Sequence, residues 1–89
     1  MANTNEEQHR DSVNRFIALA NAIKDEGVPI DVVSAGLMTA SGVYATFMVG
    51  GNDGGLTASG VDKVAAKYRE ELEHIQEVKK AQNAQQSEE

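Results

Sequence analysis

The stretch from Val32 to Gly51, VVSAGLMTASGVYATFMVGG, carries no charge and no proline in a chain otherwise rich in Glu, Gln and Lys. Its reading decides the fold: it either crosses a bilayer or forms the packed centre of a small helical protein. As a helix rising about 1.5 Å per residue it spans about 30 Å, the thickness of a hydrocarbon core, so length permits a membrane span. Composition opposes one. Ser34, Thr39, Ser41, Thr46 and four glycines fill eight of the twenty places. Asp31 on one side and Asn52 and Asp53 on the other supply neither a basic collar nor an aromatic belt. The stretch therefore reads as a helix to be covered on most sides by protein, because a helix apolar all round must be covered all round.

Working outward, Thr4 followed by Glu7 fits a capping box that opens a first helix, with Asn3 or Asp11 as alternative starts. Val13, Phe16, Ile17, Ala20 and Ile23 then recur at helical spacing, and Leu19 widens their stripe. Gly27 is a helix-ending residue and Pro29 bars backward continuation of the next helix, which begins at Pro29 or Asp31. GGNDGG, residues 50 to 55, has almost no helix propensity and reads as a flexible turn. It lacks the lysine and hydroxyl of a phosphate-binding loop and the alternating ligands of a calcium loop. A third helix starts from Thr57 or Ser59, the latter paired with Asp62. Its positions Val61, Ala65, Tyr68, Leu72 and Ile75 step by four, three, four and three, the spacing of a narrow seam. The tail KAQNAQQSEE loses large apolar residues and is expected to be disordered.

These signals predict an all-α, three-helix chain, with helices over about 4–26, 30–49 and 58–80. A single domain covers 1–80, followed by a disordered tail over 81–89. With 89 residues, two Phe, two Tyr and no Trp, the supply of large core side chains is thin. Gly36 with Ala40, and Ser41 with Ala45, are spaced to let helix backbones approach closely, while Val33, Leu37, Val43, Tyr44, Phe47 and Met48 spread around more than one face of helix two. One chain offers only two further amphipathic helices, so part of helix two is left over. The expectation is a homodimeric helical bundle whose interface includes Val33, Gly36, Leu37, Ala40, Val43, Tyr44, Phe47 and Met48.

Charge narrows the partners. With 14 acidic and 8 basic residues the net charge is −6, and the cation supply that drives nucleic-acid binding is missing. Neither nucleic acid nor an anionic membrane is expected as a partner. No cysteine is present, which excludes disulfides, thiolate metal sites and thiol catalysis. The polar, acidic N-terminus MANTNEEQHRDS has no secretory pattern, so a cytoplasmic location is expected.

The sharpest chemical pattern is a doubled one, Glu6-x-x-His9 and Glu71-x-x-His74. Such i,i+3 pairs project inward in di-iron and di-manganese bundles, where two further carboxylates complete the site. Here Glu71 and His74 lie beside the third helix's seam, Glu6 and His9 fall in first turns, and helix two has no carboxylate after Asp31. Solvated side chains on acidic faces explain both pairs, and no cofactor is expected. Ser34, Ser41 and Ser59 have no sequence-adjacent histidine and no G-x-S-x-G elbow, so no enzyme activity is expected.

Phe16-Ile17-Ala18-Leu19-Ala20-Asn21, with Val33-Ser34, Met38 and Ala40, resembles the F-I-x-L-A-N … V-S-x-x-x-M-x-A pattern of a family of small, uncharacterised proteobacterial proteins. The resemblance covers roughly residues 13 to 75 and implies a bacterial, cytoplasmic, helical protein. It brings no activity, cofactor or site residue. The reading that follows is a non-enzymatic module for protein–protein interaction, a small regulator or adaptor with an unidentified protein partner; the alternative is a metal-binding bundle.

Overall fold

The computed structural model describes residues 4–51 and 54–88, with side chains through Ala84. They form three α-helices, α1 (Asn5–Asp25), α2 (Ile30–Gly50) and α3 (Ala58–Glu88), with no strand among the described residues. The protein is all-α, as its apolar periodicity dictates.

Each helix start has a local cause. Thr4 caps α1: its Oγ1 accepts from the Glu7 N–H at 3.1 Å, and its carbonyl accepts from the Gln8 N–H at 2.9 Å. Asp11 lies inside α1, 3.8 Å from Arg15 one turn on, and Asn3 falls outside the described residues. For α2 both candidates contribute. The Pro29 carbonyl accepts from Val32 and Val33, while Asp31 sits in the first turn, where a negative charge suits the helix dipole. Thr57, rather than Ser59, caps α3, with its Oγ1 accepting from Gly60 N–H at 3.2 Å and its carbonyl from Val61 N–H at 2.9 Å. Ser59 instead lies 3.2 Å, hydroxyl to hydroxyl, from Thr57.

One expectation is corrected. α3 continues to Glu88 rather than ending near residue 80, so the backbone of 81–88 is helical, while Glu89 falls outside the described residues. Loss of large apolar residues removes a reason to pack, yet Ala81, Gln82, Ala84, Gln85 and Gln86 are good helix formers with no Gly or Pro among them. Helix propensity carries the segment where packing does not.

By backbone contacts the chain divides into two units, Met1–Tyr44 and Ala45–Glu89, with the boundary inside α2. In the first unit the half-buried residues are Ala20, Ile23, Val28 and Val33, which bracket the turn between α1 and α2. Val13, Phe16, Ile17 and Leu19, further up the α1 stripe, are exposed. In the second unit Ala45, Thr46, Gly50, Leu56, Gly60 and Val64 are half-buried around the glycine-rich turn. No hydrophobic side chain is fully buried among the described residues.

The turns show why glycine occupies them. Gly27 has φ of 105°, a conformation that L side chains rarely adopt, and its N–H closes α1 on the Lys24 carbonyl at 2.9 Å. Around residue 54 the need is space. A Cβ on Gly54 would collide with the Gly50 carbonyl, and one on Gly50 would lie 3.3 Å from the Gly55 backbone. The GGNDGG stretch thus lets Gly54 and Gly55 fold back against the end of α2.

Three substitutions test these local causes by thermal and urea unfolding followed by circular dichroism. Thr57→Ala is expected to cost about 1 kcal/mol through loss of the cap, and Ser59→Ala distinctly less. Gly27→Ala is expected to cost about 1–2 kcal/mol through backbone strain. Equal effects at Thr57 and Ser59 would contradict the assignment of the cap.

Candidate functional site

Helix α2 runs without interruption from Ile30 to Gly50. Successive residues turn by about 100° around an α-helix, which fixes the side on which each residue projects. Val33, Gly36, Leu37, Ala40, Val43, Tyr44, Phe47 and Met48 then share one arc about 140° wide. Of the large residues of α2, Val32, Met38 and Val49 fall outside this arc. Most of the opposite arc is small: Ser34, Ala35, Thr39, Ser41, Gly42, Ala45 and Thr46, with Met38 and Val49 as its larger members. The helix is segregated by side-chain size more than by polarity, because Ala, Gly, Ser and Thr are too close to neutral to form a polar face.

In the last turns of α2 burial follows size, whereas further up Val33 of the large arc is half-buried and Ser34, Ala35, Thr39, Ser41 and Gly42 of the small arc are exposed. Ala45 and Thr46 on the small arc, and Gly50 at its margin, are half-buried within the second unit. On the large arc of the same turns, Phe47 is 51% and Met48 79% exposed, and Tyr44 one turn earlier is 74% exposed. Small residues permit close backbone approach, so the small arc is the side on which the chain packs against itself here. The large side chains consequently project outward. Of the eight residues expected at an interface, Val33 is half-buried and the other seven are exposed.

A Cβ on Gly36 would meet nothing within 4 Å. A helix-interior glycine costs roughly 1 kcal/mol relative to alanine, and no contact within the chain requires one at this position. Gly36 stands on the large arc among Val33, Ala40 and Val43, where its missing side chain leaves a notch. Among the described residues nothing packs into that notch.

The Glu-x-x-His pairs lie on different helices, α1 and α3. Glu6 and His9 line a shallow depression on α1 together with Asn5 and Arg10, so a guanidinium stands beside the presumed ligands. Glu71 and His74 are on α3, where helical geometry turns His74 away from the apolar seam. Lys67 lies 4.0 Å from the Glu71 carboxylate and 3.9 Å from that of Glu70. Arg69 pairs with Glu73 at 3.8 Å. These Lys–Glu and Arg–Glu pairs support the exposed face of α3 more evenly than its Glu73–Glu77 repulsion suggests, although each exposed pair contributes only a few tenths of a kcal/mol. Among the described residues no group of three or more His, Cys, Asp or Glu side chains is placed to hold a metal ion. A second depression on α1, lined by Ser12, Arg15, Phe16 and Leu19, likewise belongs to the surface of one helix.

By length and composition α2 also qualifies as a helix able to cross a membrane. The sequence matches no protein-family model, and comparison with curated proteins and with solved structures gave no match. The geometry of α2 is thus what any functional reading has to explain.

For the metal alternative, elemental analysis of the purified protein is expected to give no stoichiometric iron, manganese or zinc, and His74→Ala is expected to leave helicity and unfolding midpoint within experimental error. Metal bound at one ion or more per chain and lost in His74→Ala would establish that alternative.

Proposed function

We propose that this protein is a non-enzymatic helical interaction module, a small cytoplasmic regulator or adaptor that works as a homodimer paired through the large-residue arc of α2. The observation that supports this reading is the exposure of Leu37, Val43, Tyr44, Phe47 and Met48 along one side of a helix whose single charge is Asp31 in its first turn. Fully burying a side chain of this kind contributes about 1.5–3 kcal/mol, so an exposed row of them favours a surface that removes them from water.

A second copy suits the face for two reasons. A two-fold interface needs one patch complementary to itself, and here Gly36 and Ala40 leave a depression beside the projecting Leu37, Tyr44 and Phe47. Close approach at Gly36 also accounts for a glycine that the chain's own packing does not require. The remaining acidic faces, in a chain of net charge −6, suit a protein partner with basic character better than a nucleic acid. The bacterial setting implied by the F-I-x-L-A-N resemblance belongs to the same proposal.

Sedimentation velocity at micromolar concentration is expected to give a dimer for the natural chain and a helical monomer for Leu37→Glu/Phe47→Glu. Both substituted positions are exposed within the chain, so helix content should persist. Gly36→Leu is expected to weaken association at least tenfold, although helix propensity alone predicts that it stabilises α2. A well-folded monomer of the natural chain would overturn the proposal. So would recovery of the protein in a membrane fraction that withstands a high-salt wash, the outcome that a bilayer-spanning α2 requires.

A further inference from the structure

Helix α3 carries an apolar row that α2 pairing does not use. Ala58, Val61, Ala65, Tyr68, Leu72 and Ile75 occupy alternating a and d heptad positions within an arc of about 100°. Val61, Tyr68, Leu72 and Ile75 are all exposed, at 42–51% of their surface. Gly60 and Val64, on one flank, are the half-buried residues of this part of α3, so the chain packs against the flank and leaves the seam outward.

We infer that α3 pairs antiparallel with α3 of a second copy, about a two-fold axis passing between Ala66 and Lys67. This rests on the dimer reading above and names the register of its second contact. In that register Ala58 faces Ile75 of the other copy, Val61 faces Leu72, and Ala65 faces Tyr68. Each layer sets a smaller residue against a larger one, the arrangement that fills the space between helices without voids. All six apolar seam positions are matched, and no polar residue enters the seam.

Charge selects the same register independently. On one flank Asp62 falls opposite Arg69 of the other copy, twice by symmetry, and on the other Val64 falls opposite Glu71. No like charges oppose each other. The competing registers fail on specific residues. Sliding one heptad toward the C-terminus opposes Val61 with Lys79 and sets Arg69 against its own copy, a like-charge contact that costs association. Sliding the other way leaves Leu72 and Ile75 opposite the glycine-rich turn. Parallel, in-register pairing stacks Ala58 on Ala58 and Ala65 on Ala65, leaving voids, then forces Tyr68 onto Tyr68 and Lys79 onto Lys79. The seam is about two and a half heptads long, shorter than a free-standing coiled coil, so it acts together with the α2 contact.

The chain lacks cysteine, so a single engineered one gives a unique spin-label site. Lys63→Cys, Glu70→Cys and Glu77→Cys place labels on the outward side of α3 in the full-length protein. In the proposed register labels at 63 and 70 are each offset along the axis by about 10 Å from their copies, and labels at 77 by about 30 Å. Electron–electron dipolar spectroscopy is expected to give equal distances at 63 and 70 and a clearly longer one at 77. Three equal distances indicate parallel pairing, and unequal values at 63 and 70 indicate another register; either overturns the inference while the α2 dimer stands. Absence of any intermolecular distance, together with a monomer in sedimentation, overturns both.

Discussion

Apolar side chains on this chain must leave water, and its own packing removes few of them. An 89-residue chain of three helices has little internal volume, and its four aromatic rings are all exposed. Each helix is well started, and α1 and α2 are well stopped: Thr4, the Pro29 carbonyl and Thr57 satisfy first-turn donors, and Gly27 and Gly51 supply left-handed backbone at the ends of the first two. Caps and propensity make helices, but they contribute about 1 kcal/mol each and do not replace a core. The exposed apolar stripes of α1, α2 and α3 are therefore the surfaces that remain for further burial.

In the last turns of α2, size segregation gives that constraint a direction. The small arc, with Ala45, Thr46 and the adjacent Gly50, packs near a turn whose glycines let backbone lie on backbone. With the small arc engaged, Tyr44, Phe47 and Met48 are necessarily outward, since they project from the other side of the same helix. The glycines on either side of this turn thus have a structural reason. The turn needs no phosphate or cation to explain it, because close approach at Gly50 and Gly54 already does.

The candidate chemistry weakens on the same geometry. A di-metal site needs carboxylates and histidines converging from several helices, whereas Glu6 and His9 stand beside Arg10, and Glu71 stands beside Lys67. In a chain with 14 acidic residues, Glu-x-x-His spacing arises cheaply on solvated helix faces. A recognition role places fewer demands on these residues. The proposed pairing requires only that the arcs of α2 and α3 be complementary to a second copy, in size for both and in charge for α3.

Much of the architecture was legible in the linear order of residues. Three- and four-residue apolar spacing, capping side chains and glycine-rich turns act through local geometry, so they name three helices and nearly all their ends. The end of α3 is the exception, with a local cause too: large apolar residues stop near residue 80, whereas the Ala and Gln residues beyond it keep helix propensity to Glu88. The side of α2 that turns inward was not legible. Its small arc is made of Ala, Gly, Ser and Thr, whose transfer free energies lie near neutral, so hydropathy gives no preferred direction. Only packing at Ala45, Thr46 and Gly50 decided it, because close backbone approach depends on what lies across the turn, and that is a property of the fold in three dimensions.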